Sequence, residues 1–403
     1  MADAFTAPVI GPATVTGALK AVVGAAVEGT VLVTRTDNAG DVLLAGPAIR
    51  AVAHGAKEVV LLAGPNGRAA AGLLPCVSRV LEWRTPWIDP EPPPMTGGHA
   101  ARLIEAVRAT APETALILTS FHQSPLPLAL LLRLAGVPVI AAICADYPGS
   151  LLDVRHVVDE TVDVPEAERM LSLARAAGFE LPPGDDGRLA VRRPLPAVEH
   201  LTGPPGYVVV HPGVSAQARA WPADNWTRAV RDLVRAGWRV VVTGGSDERA
   251  LTARVACGAV RPGPFHDLTG RGSHDLAGAG AAAGTGDGGP RGPVTDLGGR
   301  TTFAELAAVL AGADVVVAAN TGPAHLAAAV GVPVVSLFAP VVPAGRWAPY
   351  GVPFVVLGDQ RAPCRDSRAR TCPVPGHPCL SSVPSAAVVE AVGRLAFAKE
   401  DVH

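Results

Sequence analysis

Short apolar runs alternate with helical periods along most of the chain. Residues 31–34, Val-Leu-Val-Thr, read as a buried strand, apolar positions from about 42 to 53 recur at helical spacing, and 58–62 returns to a strand pattern. The order continues with a helix near 98–110, a strand at 115–118, a helix over 126–135 closed by Gly136, and a strand at 138–142. Strands separated by helices of this length imply a parallel sheet covered on both faces.

Between 181 and 206 the text becomes LPPGDDGRLAVRRPLPAVEHLTGPPG, rich in proline and charge with no sustained period, which reads as a connection between domains. The strand and helix alternation then restarts: strand 207–210, helix 224–236 followed by Gly237, strand 239–243. Thr302 and Glu305 form a capping-box pattern for a helix ending near Gly312, before strand 314–319, helix 323–330 and strand 334–338. The expected architecture is therefore α/β: two doubly wound parallel-sheet, Rossmann-like domains facing a central cleft. They would cover residues 1–185 and 207–403, joined by a linker at 186–206. The Gly/Ala-rich stretch 270–293 reads as a flexible surface insertion.

Composition narrows the function. At roughly 100–200 residues per domain, 403 residues suit two domains. Lys and Arg number 34 against 36 Asp and Glu, a net charge of −2, which excludes a protein whose main partner is a nucleic-acid backbone. With 49% hydrophobic and 17% charged residues, global disorder is excluded too. The longest apolar stretch, 126–144, is broken by Arg133, Gly136 and Pro138, short of the ~20 clean residues a spanning helix needs. The N-terminus lacks a basic segment ahead of an apolar one, so no signal peptide is expected and the predicted location is cytoplasmic. Six cysteines fit a reducing compartment. Cys364, Cys372 and Cys379 are near enough in sequence to meet in space, but their spacing matches no common zinc pattern. Neither a metal nor a cofactor is expected.

In paired α/β domains, ligands bind beyond the carboxyl ends of the strands. The first such loop runs from Thr34 to Asp41; Gly40 permits close backbone approach to a ligand, and Asp41 stands at a helix start, either as a cap or as a functional carboxylate. The second, His211-Pro212-Gly213-Val214-Ser215 followed by Arg219 and Trp221, gathers small residues, a hydroxyl and a guanidinium suited to a diphosphate. In the third, Asn320-Thr321-Gly322-Pro323-Ala324-His325, the N–H groups of Thr321 and Gly322 at a proline-initiated helix would face an anion. A fourth, Thr243 to Asp247, lacks the G-x-G-x-x-G spacing, which disfavours hydride transfer, and the chain has no P-loop. Ser120 to Ser124 follows a strand of the first domain, making His122 and Gln123 acceptor-side candidates. Asp146 to Gly149 is a similar case.

These blocks together resemble glycosyltransferase family 9, the ADP-heptose heptosyltransferase family of the GT-B fold. The resemblance is carried by VLVTRTDNAGDVLLAGPAIRAV, VVVHPGVSAQARAWPADNW and DLGGRTTFAELAAVLAGADVVVAANTGPAHLAAAVGVPVVSLFAP, with WAPYG and CPVPGHPCLSSV near the end. It implies that Asp41 is the general base, that Ser215 and Arg219 meet the donor diphosphate, that Asn320, Thr321, Gly322 and His325 form the nucleotide-sugar site, and that Asp247 contacts adenosine. Asn38, His122 and Gln123 would then face the acceptor. Two positions depart from the family: Asn320 replaces a common aspartate, keeping size and losing charge, and Arg219 replaces a frequent lysine with a forked cation. The implied activity is inverting, metal-independent transfer of a sugar, heptose by resemblance, from an ADP-linked donor to a glycan, lipid-linked or secondary-metabolite hydroxyl. The expected place is the cytoplasm or the inner face of the membrane, without a transmembrane segment. Two other readings stay open: an epimerase or hydrolase acting on the nucleotide sugar alone, and a non-catalytic nucleotide-sugar-binding module.

Overall fold

The structure, a computed structural model, describes residues 27–260 and 292–400. Most of the Gly/Ala-rich stretch expected to be a flexible insertion, 270–293, lies outside the described residues, as does the N-terminal segment.

Two six-stranded sheets form, each entirely parallel. The first contains β1 (Val27–Arg35), β2 (Ala56–Ala63), β3 (Arg79–Glu82), β4 (Thr114–Ile117), β5 (Val139–Ile143) and β6 (Val154–His156), in the order β3-β2-β1-β4-β5-β6. The second contains β7 (Tyr207–His211), β8 (Val240–Val242), β9 (Val294–Asp296), β10 (Ala313–Ala319), β11 (Val334–Leu337) and β12 (Phe354–Leu357), in the order β12-β11-β10-β7-β8-β9. Both sheets bury their central strands on two faces; Val31, Leu32, Val33, Val208, Val209 and Val210 are fully enclosed. This is the doubly wound α/β architecture expected from the sequence.

The helical stretch expected over 42–53 is two helices, Ala39–Leu44 and Gly46–Gly55, divided at Ala45. Pro47 accounts for the break: it has no N–H to give the preceding turn and fits only the first turn of a new helix. The capping box at Thr302 forms as expected, with Thr302 Oγ1 accepting from the Glu305 N–H at 3.2 Å and Glu305 accepting from the Thr302 N–H at 2.7 Å.

The connection between sheets is not free chain. Leu189, Val191 and Val198 are buried, and the Arg192 N–H donates to the Leu73 carbonyl at 2.7 Å. The two halves also meet directly. Helix Ala39–Leu44 of the first lies on helix Gly322–Val330 of the second, so close that a Cβ on Gly40 would sit 2.8 Å from the His325 ring and 3.2 Å from the Gly322 Cα. Among the described residues, no helix is long and apolar enough to cross a membrane.

Candidate active site

The order of each sheet reverses next to its first strand, between β1 and β4 and between β7 and β10. At such a switch point the loops after neighbouring strands leave in opposite directions and open a crevice. Here the two crevices face each other and merge into one cleft of about 350 Å³. Its walls come from the loops after β1 (Asp37, Asn38, Gly40, Asp41), β4 (Ser120 to Gln123), β7 (Ser215, Arg219) and β10 (Asn320 to Gly322, with His325). The candidate site residues named from sequence line it, except Asp247 and the loop from Asp146 to Gly149.

On the first wall, Asp41 occupies the first turn of its helix, yet its carboxylate accepts from Arg35 Nη2 at 3.3 Å rather than from a backbone N–H. Asn38 is the N-cap by position, and its side chain makes no capping bond. Arg35, the last residue of β1 and fully enclosed, organises this wall: Nε lies 3.1 Å from Asp37 Oδ2 and Nη2 also donates to Ser120 Oγ at 2.8 Å. Burial works against its charge, but Asp37, Asp41 and Glu166 outweigh burial and hold the guanidinium above its ordinary pKa. Burial raises the Asp37 carboxyl, with Arg35 opposing and Asp41 adding to the rise. Gln123 donates to Asp37 at 2.6 Å and accepts from the Ser120 N–H at 3.0 Å, tying the β1 and β4 loops together. His122 is held below the usual imidazole range by burial and by Arg368. Tyr147, in the other loop offered for the acceptor, is 87% exposed and outside the lining.

On the second wall, Arg219 donates to the Asn320 carbonyl at 3.2 Å. Burial, and to a lesser degree Arg370, lowers its pKa, while Asp41 raises it. The side-chain oxygen and nitrogen of Asn320 are both buried without a protein partner, an arrangement costly unless a ligand supplies the bonds. His325 Nδ1 is likewise unpartnered, and burial together with Arg219 brings its pKa to about 4, so the ring is neutral. The expectation that two backbone N–H groups would face an anion needs correction at Thr321, whose N–H already donates to the Ala319 carbonyl at 2.8 Å in the turn after β10. Gly40 also plays a different part from the one read from sequence: the close approach it allows is to His325 and Gly322. Asp247 is exposed in the turn after β8, while its neighbour Glu248 fills the space over Gly213 and lies 3.7 Å from His211.

The sequence reading missed Arg35, Asp37, Phe121, Trp347, Arg368 and Arg370, all of which line the cleft or hold a residue that does. Arg35 and Asp37 lay within a loop already singled out; the charge in a buried strand's last position was the overlooked signal. The cysteines do gather: burial pushes the Cys379 thiol up to about 12, and Cys364 and Cys372 beside it add to the rise.

The profile of glycosyltransferase family 9 (heptosyltransferase) matches residues 101–273 and 280–377. Lipopolysaccharide heptosyltransferase 3 of Escherichia coli is 28% identical over 245 residues, a match spanning 60% of this chain and 60% of that relative. Among solved structures, E. coli ADP-heptose lipopolysaccharide heptosyltransferase II superposes with a TM-score of 0.65 at 18% identity, covering 92% of this chain and 99% of the other. E. coli heptosyltransferase WaaC with ADP gives 0.62 at 21% identity, covering 91% and 99%. The fold is thus the one these heptosyltransferases share.

Proposed function

Because the chain belongs to glycosyltransferase family 9, we propose that it transfers a sugar, heptose or a close relative, from an ADP-linked donor to an acceptor hydroxyl, with inversion and without a metal ion. The acceptor is a glycan, a lipid-linked sugar or a metabolite, met in the cytoplasm or at the inner face of the membrane. One observation carries the reading: Asp41 and Arg219 come from different sheets, line one cleft, and sense each other's charge across it.

The chemistry follows from that opposition. Asp41 accepts the proton of the acceptor hydroxyl as its oxygen forms a bond to the anomeric carbon. On the far side the bond from that carbon to phosphate breaks, and the nucleoside diphosphate leaves with the electron pair. Attack and departure on opposite faces invert the centre. Arg219, the Ser215 hydroxyl and the N-terminal end of helix Gly322–Val330 stabilise the charge that develops on the leaving group. The unpartnered Asn320 amide can both donate to and accept from a sugar hydroxyl, which an aspartate in its place could not do while ionised. Enclosure between the walls excludes water and so limits hydrolysis.

Calorimetric titration with ADP, UDP, GDP and CDP in EDTA tests this directly. Selective ADP binding is the expected result. Preference for another nucleotide overturns the donor, and binding that EDTA abolishes overturns the metal-free site. Incubating the protein with ADP-heptose alone separates transfer from epimerisation or hydrolysis, since only the latter two proceed without an acceptor.

A further inference from the structure

Behind the first wall lies a buried carboxylate. Glu166 opens the helix Glu166–Ala176, a position that suits an acidic residue, though such a residue ordinarily stays in water. Here it is fully enclosed, and neither of its oxygens accepts a hydrogen bond among the described residues. A charge buried in this way is costly unless neighbouring charges compensate it. Burial raises the Glu166 carboxyl, and Arg35, then Arg169, oppose the rise. Arg169 Nη1 stands 3.9 Å away, but its guanidinium donates to the Thr119 carbonyl and to Glu160 instead.

Arg35 supplies the matching half. Its Nη1 is buried without a hydrogen-bond partner, while Nε and Nη2 serve Asp37, Asp41 and Ser120. Arg35 and Glu166 each favour the other's ionised form, whereas Glu166 and Asp41 oppose each other. The charges acting on Glu166 are Arg35, Arg169, Asp41 and, most weakly, Arg346. Asp41 is met by Arg35, Asp37 and Glu166 from its own half and by Arg219 from the other. One guanidinium is thus shared by three carboxylates, two lining the cleft and one behind it. With Glu166 ionised, part of the Arg35 charge is neutralised away from the cleft, and Asp41 keeps an affinity for protons that an uncompensated arginine would take from it. That affinity is what a general base needs.

Resting on the transferase reading for the role of Asp41, we propose that Glu166 is a positioning residue for that base: acting through Arg35, it holds the guanidinium back from Asp41 and keeps the carboxylate able to take the acceptor's proton. Glu166 itself touches neither substrate nor leaving group.

The test follows the protonation of Asp41 directly. Carbon-13 NMR of protein labelled at the aspartate carboxyls, with the Asp41 signal assigned by its loss in Asp41→Asn, reads the titration without turnover. Glu166→Gln keeps the shape and removes the charge, so the Asp41 midpoint should move to lower pH by at least about 0.5 pH unit. In transfer assays the acid limb of kcat/KM should move with it, and kcat at neutral pH should fall about threefold to tenfold while ADP affinity stays within about twofold. Glu166→Asp keeps the charge but draws it back by one methylene; its shift should have the same sign and be smaller, and it decides the matter if the Gln variant does not fold. A merely structural role lowers stability and leaves the midpoint and the limb in place. That result, an upward shift, or equal shifts in the Asp and Gln variants overturns the proposal. Should the native protein transfer no sugar, the transferase reading falls, and the NMR midpoint still decides whether Glu166 acts on Asp41.

Discussion

At the scale of single residues, a carboxylate is informative by what it does not do. Asp41 stands where an acidic residue ordinarily serves a helix end, yet it bonds a buried arginine and opens on the cleft. Asp41→Asn keeps the shape and removes the basicity, so transfer should fall about 10²–10⁴-fold while ADP affinity stays within about twofold. Steady-state rates and calorimetry on the same preparation check this, and an Asn variant with near-normal turnover would remove Asp41 from the mechanism. The histidines make a second, independent prediction. Burial holds both His211 and His325 at a pKa of about 4, against 6.5 for a free imidazole. The unfolded chain therefore binds protons below pH 6.5 that the folded chain refuses, and stability is lost as pH falls from there toward 4. Between pH 7 and 5 the loss is about 2 kcal/mol for each histidine. Thermal unfolding across that range should show the decline, and His325→Gln should remove about half of it, leaving the share of His211. Asp41 and His325 were legible because each follows an apolar run at a strand's end. Arg35 was not, since its partners Asp41 and Ser120 lie 6 and 85 residues away and only the fold assembles them.

At the scale of elements, the sequence pattern revealed the interior of each sheet and not its borders. The eight strands expected, β1, β2, β4, β5, β7, β8, β10 and β11, are the inner strands, and the four missed, β3, β6, β9 and β12, are the edges. The reason is physical. An inner parallel strand is covered on both faces and reads as an unbroken apolar run, as in the fully buried β4, β7 and β11. The edges are three or four residues long and partly exposed; in three of them, as in Arg79–Glu82, charged or titratable residues mix with apolar ones, while Phe354–Leu357 is apolar but only four residues long, so no period emerges. Helix against helix across the cleft was equally invisible, because a glycine in the first turn of a helix does not announce what it approaches. Gly40→Ala tests that contact. Its methyl group would force the His325 ring and the Gly322 backbone away, costing about 1–3 kcal/mol in stability. Both walls move with these helices, so Michaelis constants for donor and acceptor should rise together. A variant with unchanged urea midpoint and constants would show the close approach to be slack.

At the scale of the whole molecule, one arginine bridges the two halves with several bonds at once. Arg346, in the second half and 3% exposed, donates to Asp163 Oδ1 and Glu160 Oε2, each at 2.8 Å, and to the carbonyls of Glu160 and Val162 at 2.7 and 3.1 Å, all in the first half. Glu160 shares its other oxygen with Arg169 at 2.6 Å, and Arg169 in turn donates to the Thr119 carbonyl at 2.7 Å, next to the Ser120 that receives Arg35. A chain of charge thus runs from the junction of the halves to the wall carrying Asp41. Arg346→Ala removes the fork but leaves Glu160 paired with Arg169, and Asp163 is 42% exposed, so folding should survive. What should change is geometry: small-angle scattering of the ADP complex should give a larger radius of gyration, and kcat should fall about 10–10²-fold with ADP affinity little altered. Arg346→Lys restores one charge without the fork and should recover compactness only in part. A double-mutant cycle with Glu160→Gln discriminates between a clasp and a merely buried arginine. Coupling in kcat between the two positions, on the order of 1 kcal/mol or more, requires that closure and catalysis pass through the same contact. Additive losses would mean that the halves are held by their other contacts, the Gly40 and Gly322 helices and the Tyr350–Glu168 hydrogen bond among them, with Arg346 only filling the space between.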